Sequence, residues 1–122
     1  MLKGAASILT VRDVAAAKVW YSGVLGFEVT FEFGTPLYNV CLCRDHVQLH
    51  LVDASESRNR AGESAVAVFP DDVDAVFEEI SARGAVFRSA PMNSSYGMRD
   101  FIALDPDGNE LTFGMAIGAG NS

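Results

Sequence analysis

At 122 residues and 49% hydrophobic content, the chain is long enough to fold around one core, burying roughly two-thirds of the surface it exposes when unfolded. Nine Lys and Arg against sixteen Asp and Glu leave a net charge of −7, which argues against nucleic acid and anionic lipid surfaces as partners and favours cationic ligands. No apolar run reaches the ~20 residues of a membrane span and the N-terminus lacks the core of a secretory signal, so the expected location is the cytoplasm.

Residues 5–11 (AASILTV) read as a first strand. Asp13 stands at an N-cap position, and Val14, Ala17, Tyr21, Val24 and Leu25 follow at helical spacing until Gly26 stops the helix. Trp20 and Tyr21 lie on that helix and are expected to pack it against a sheet. Residues 27–33 (FEVTFEF) alternate apolar and polar with period two, and Gly34 and Pro36 break the pattern. Residues 38–44 and 47–52 form a hairpin around Asp45 and His46. Cys41 and Cys43 leave the same face of one strand with a geometry poorly suited to a mutual disulfide, so both are expected as reduced thiols.

Residues 53–63 (DASESRNRAGE) are polar and turn-rich, the one convincing linker stretch. The pattern then restarts. SAVAVF is a strand, Asp72 a cap, and Val73, Val76, Phe77 and Ile80 keep helical spacing before Gly84. Residues 85–89 are a strand candidate and 91–96 a loop. Residues 101–115 (FIALDPDGNELTFGM) form a hairpin whose turn has a mechanism: an Asx acceptor at Asp105, a fixed φ at Pro106 and left-handed freedom at Gly108. Asp105 and Asp107 are turn-formers, since the run lacks the further oxygen ligands of a calcium loop. Beyond Asn109, Leu111, Phe113 and Met115 point one way and Glu110, Thr112 and Gly114 the other. Residues 118–122 (GAGNS) read as a small polar tail expected to fray.

The halves repeat each other. V-R-D-V at Val11 to Val14 answers P-D-D-V at Pro70 to Val73, each leading into a helix, a Gly and a strand. The expectation is an α+β fold of two tandem βαβββ modules, residues 3–53 and 64–116 with a linker at 54–63, within one domain spanning residues 1–122. Each four-stranded mixed sheet carries a helix on its outer face and leaves the other face bare. The two concave faces are expected to cover each other as a cup that dimerisation completes.

The order of R-D-V, the Trp20–Tyr21 pair, L-G-F at Leu25 to Phe27, Y-G-M-R at Tyr96 to Arg99 and D-P-D-G-N at Asp105 to Asn109 resembles the vicinal-oxygen-chelate superfamily in both modules. Its closest likeness there is to the glyoxalase/bleomycin-resistance group, and within that to the bleomycin-resistance proteins. The resemblance implies paired modules in a homodimer and, in the enzymes, a divalent metal held by His, Glu or Gln on four strands. Those positions fall on Ala6, Gln48 or His50, Ala65 and Thr112, a set that cannot hold zinc, iron, nickel or manganese in fixed geometry. No metal, cofactor or catalytic residue is therefore assigned.

In bleomycin-resistance proteins, aromatic side chains at positions like Phe31 and Tyr96 line the drug groove. With Phe33 and Tyr38 they would give flat apolar walls, and an acidic rim including Glu110 would suit a planar cation. His50 is a strand histidine that either contacts ligand or is a hydrogen-bonded structural side chain. Phe31, Phe33, Tyr38, His50, Tyr96 and Glu110 make up the expected ligand-binding set. The leading function is a metal-free protein that binds and sequesters a small aromatic or cationic molecule in a dimeric groove, without nucleic acid or membrane partners. The alternative is a lyase, isomerase or dioxygenase-like enzyme of the same superfamily acting through His50, Glu110 or an atypical metal site.

Overall fold

The computed structural model describes residues 1–117, so the expected frayed tail at 118–122 lies outside the described residues. The first module runs β1 (Ser7–Val11), α1 (Val14–Gly23), β2 (Glu28–Phe33), β3 (Asn39–Arg44) and β4 (Val47–Asp53). The second runs β5 (Ala65–Val68), α2 (Val73–Ala82), β6 (Val86–Asn93), β7 (Met98–Leu104) and β8 (Glu110–Ala116). The four-stranded sheets have orders β1-β4-β3-β2 and β5-β8-β7-β6, the first strand of each pairing parallel to the last and the other pairs antiparallel. The α+β architecture of repeated βαβββ units is thus the one expected from the repeat.

Both helices start the same way. Asp13 accepts a hydrogen bond from the Ala16 amide and Asp72 one from the Ala75 amide, each 3.0 Å long, satisfying an amide that the first helical turn leaves unpaired. Their buried faces, Val14, Ala17 and Tyr21 in α1 and Val73 and Ile80 in α2, pack on the faces of the sheets that carry Leu9, Val40, Leu42, Leu49 and Leu51, or Phe101, Ala103, Leu111 and Phe113.

These apolar faces merge into one core shared by both modules. Polar contacts clamp the seam, among them Tyr21 to Asp105, Asn109 to the Thr10 carbonyl, Arg44 to Glu79 and Arg12 to Asp107. The helix-bearing sides therefore meet across this seam, leaving the two open sheet faces uncovered by the rest of the chain. Ile8 on the open face of the first sheet is 57% exposed and Met92 on that of the second 59%. Burying the apolar faces of two helices and two sheets together removes that surface from water, the main favourable term in folding.

One local expectation changes. The stretch read as a loop at 91–96 begins as strand, because β6 runs on through Pro91 to Asn93. Proline is tolerated there since β6 is an edge strand and its register with β7 shifts between Ser89 and Met92. The linker stretch is docked on both modules: Ala54–Glu56 forms a 3-10 turn, Ser57 Oγ lies 3.0 Å from Thr10 Oγ1, and the Ser64 amide donates to Asn109 Oδ1 at 2.8 Å. Among the described residues, no helix is long and apolar enough to cross a membrane.

Candidate functional site

Strand register sorts the side chains of the open faces into rows, because residues paired across a ladder share a face. In the first module one row is Ile8, His50, Cys41 and Phe31, and the next is Thr10, Val52, Asn39 and Phe33. A bulge between Val29 and Phe31 resets the alternation of β2 and puts both phenylalanines on the open side. Their rings stack at 6.4 Å with planes 7° apart, and Tyr38 meets Phe33 edge-on at 5.5 Å. Phe31 and Phe33 are 53% and 55% exposed, so the pair is an apolar platform facing outward, not core.

His50 and Cys41 face each other on neighbouring strands, both half-buried. Cys41 and Cys43 are free thiols. His46 sits exposed in the β3–β4 turn, as its turn position implied.

The second module's open face is built differently. Ala65, Glu110, Leu104 and Val86 form one row, Ala67, Thr112, Ile102 and Ser89 the next, and Gly114, Asp100 and Met92 lie beyond. Glu110 is half-buried and its Oε2 is 2.8 Å from Arg88 Nε, so its charge is already matched. Tyr96, in the turn before Gly97, is 72% exposed and its hydroxyl donates to Asp100 Oδ2 at 3.1 Å. Arg99 turns to the opposite face, where Asp74 grips it through two 2.8 Å bonds. Hydrogen bonding to that guanidinium lowers the Asp74 carboxyl below its usual range.

The six expected residues therefore fall into two groups that one chain does not bring together. Phe31, Phe33, Tyr38 and His50 belong to the first sheet; Tyr96 and Glu110 belong to the second. Tyr38 also borders a cavity of about 530 Å³ together with Pro36, Asp53 and Glu56. A second recess, of about 460 Å³, lies in the seam between modules against Phe27, Val68 and Phe113 and takes none of the six. A third, of about 470 Å³, is bordered by Ile8, Ala65, Arg58 and Arg60. Asp100 and Met92 share the open face of the second sheet, a placement that the residues alone do not single out. The length of the 105–109 loop contains the signal, because pairing Leu104 with Glu110 forces Asp100 opposite Gly114.

The sequence matches the family described as the Glyoxalase/Bleomycin resistance protein/Dioxygenase superfamily over residues 5–113. The chain belongs to that superfamily. Among solved structures it resembles a superfamily member from Sphaerobacter thermophilus, at 22% identity and TM-score 0.81 over 94% of this chain and 98% of that one. It resembles TnmS3, described as an antibiotic binding protein from Streptomyces sp. CB03234, at 24% identity and TM-score 0.80 over 95% and 97%. A glyoxalase/bleomycin resistance protein from the same Streptomyces is 26% identical with TM-score 0.76 over 91% and 98%. No curated protein matches the sequence.

The metal that the superfamily's enzymes hold is tested by the donors present. Ala6 and Ala65 end in methyl groups, and Thr112 offers a neutral hydroxyl. Among the described residues, no three His, Cys, Asp or Glu side chains are grouped to hold a metal ion. Glu110 stands across the ladder from Ala65, and Arg88 already pairs with it at 2.8 Å. One imidazole, one amide and a hydroxyl on two sheets do not fit a three- or four-ligand site.

Proposed function

We propose that this superfamily member is a metal-free binding protein of the bleomycin-resistance type, cytoplasmic and homodimeric, which sequesters a small aromatic or cationic molecule. The observation that carries the reading is the outward-facing Phe31–Phe33 stack, two parallel rings each about half exposed on an open sheet face. Exposed aromatic platforms of this kind are costly unless something covers them. A planar ligand covers them by stacking, and a second copy of the chain would place the opposite wall. Supporting this are the poor donor set at the metal positions and the description of TnmS3 as an antibiotic binding protein.

Sedimentation of the purified chain tests the dimer, and titration with planar aromatic compounds, followed through Trp20 and tyrosine fluorescence, tests the groove. Saturable binding by a dimer that carries no stoichiometric metal is expected. A tightly held divalent metal after purification would sink the metal-free reading.

The enzyme reading rests on one observation, the His50–Cys41 pairing on the open face. His50→Ala separates the two: a binder loses modest affinity, whereas a catalyst that depends on the imidazole loses orders of magnitude in rate.

A further inference from the structure

We propose that the carboxylate of Asp100, flanked by Tyr96 and Met92 on the second module's open face, anchors the positive charge of the ligand, with Glu110 having no direct part. The inference rests on the binding function proposed above and specifies its chemistry: a planar cation.

Four features single out Asp100. Its row, with Met92 on one side and Gly114 on the other, puts the carboxylate on the face that the helix leaves open, where it is half-buried. The Tyr96 hydroxyl holds Oδ2 at 3.1 Å, orienting the group while leaving its charge unneutralised. No Lys, Arg or His among the described residues lies within ion-pair distance of it, although six basic side chains elsewhere are paired. Glu110, by contrast, is bound by Arg88, and a cation would first have to break that pair.

Arg88 is instead directed to Glu110, 2.8 Å from its Oε2. Glu110 pairs with Leu104, four residues along β7 from Asp100, about 13 Å at strand rise. Gly114 opposite Asp100 contributes no side chain, and a Cβ built there would stand 3.3 Å from Met98 Cε and 3.4 Å from Asp100 Cβ, so the thioether methyl of Met98 packs over this bare backbone beside the carboxylate and adds to its apolar surround. A half-buried unpaired carboxylate has lost part of its hydration without a compensating charge. An incoming cation supplies that charge, with the exposed Tyr96 ring and the Met92 thioether offering polarisable surface for a flat body.

The test uses the full chain and two flat tricyclic probes, proflavine as the cation and acridone as a neutral comparator. Asp100→Asn keeps the shape and the acceptor for Tyr96, so folding is retained and only charge is removed. Expected are a loss of proflavine affinity of about five- to tenfold, an unchanged affinity for acridone, and a weakening of wild-type proflavine binding as salt is raised. Glu110→Gln should change proflavine binding less than about twofold, and Tyr96→Phe should fall between the two. Equal losses in Asp100→Asn and Glu110→Gln, or none in Asp100→Asn, would overturn the assignment of Asp100 while leaving the binding function standing. Acridone binding without proflavine binding would overturn the cation alone. Failure of wild type to bind either probe would overturn this inference together with the function on which it rests.

Discussion

The Tyr21 hydroxyl, on the helix of one module, donates a 2.7 Å hydrogen bond to Oδ2 of Asp105 in the β7–β8 turn of the other, and both side chains are buried. The same carboxylate accepts from the amides of Asp107 and Asn109 and from Asn109 Nδ2, which also reaches the Thr10 carbonyl. The turn is therefore a latch between modules as well as a reversal of the chain. Tyr21→Phe should cost about 1.5–3 kcal/mol, the range for hydrogen bonds to a charged group. Asp105→Ala should cost more, because it strands several buried donors at once. Urea unfolding checks both.

The same pair sets an alkaline limit. Burial first, then the charge of Asp105 and the hydrogen bond to it, push the Tyr21 phenol far above its ordinary range. Above about pH 10 the unfolded chain releases this proton and the folded chain keeps it, so stability falls as pH rises, by about 1.4 kcal/mol per pH unit from this group. Below pH 10 the contribution is fully present. Tyr21→Phe should remove this slope, and comparing its unfolding free energy with wild type between pH 9 and 11 isolates it from the lysines.

Acid should loosen the other clamp. Glu79 on α2 is hydrogen-bonded to Arg44 of β3 at 2.8 Å and to Arg83 at 2.9 Å, and the Arg44 bond, outweighing desolvation, lowers its carboxyl below the usual range. A depressed carboxyl contributes stability above its unfolded value, about 4.3, and loses it as pH falls through the folded value. Stability should therefore be level from neutrality to about pH 5 and decline below that, with a shallower decline in Glu79→Gln. Identical acid profiles for the two proteins would remove the ion pair from the account.

Two glycines should respond to substitution in a definite order. Gly108 has φ 95° with nothing nearer to an added Cβ than the Gly62 carbonyl at 3.9 Å, whereas at Gly62, φ 86°, a Cβ would stand 2.2 Å from the Asp107 carbonyl oxygen. Gly108→Ala should cost only the left-handed penalty of about 1–2 kcal/mol, and Gly108→Val more, since β-branching resists that conformation. Gly62→Ala should be the more damaging alanine, because backbone has to move. Thermal unfolding of the two alanine variants tests the order.

In the second module's core, Phe101 is fully buried and lies 4.9 Å from Phe113, 5.3 Å from Phe77 and 5.7 Å from Phe87, centroid to centroid. Phe101→Ala should cost about 3–5 kcal/mol. Phe77, only partly buried, should cost less, which denaturant midpoints of the two variants would show.

Much of this was legible in the residues alone, for reasons local in the chain. Asp13 and Asp72 mark helix starts because a short side chain satisfies a nearby amide, and the alternation of Leu111, Phe113 and Met115 marks a strand face because the pleat has period two. The repeat of V-R-D-V by P-D-D-V was enough to imply two alike modules, and the alanines at 6 and 65 stand where the resemblance implies metal ligands, although a methyl group donates nothing. Local rules could not say which sides of the modules meet. That was decided by contacts distant in sequence: a shared apolar core, Tyr21 on Asp105, and Arg44 on Glu79. Those contacts turn the helices inward, leave the Phe31–Phe33 platform and Asp100 facing out, and give Glu110 to Arg88, because charge pairing and burial depend on what tertiary structure brings near.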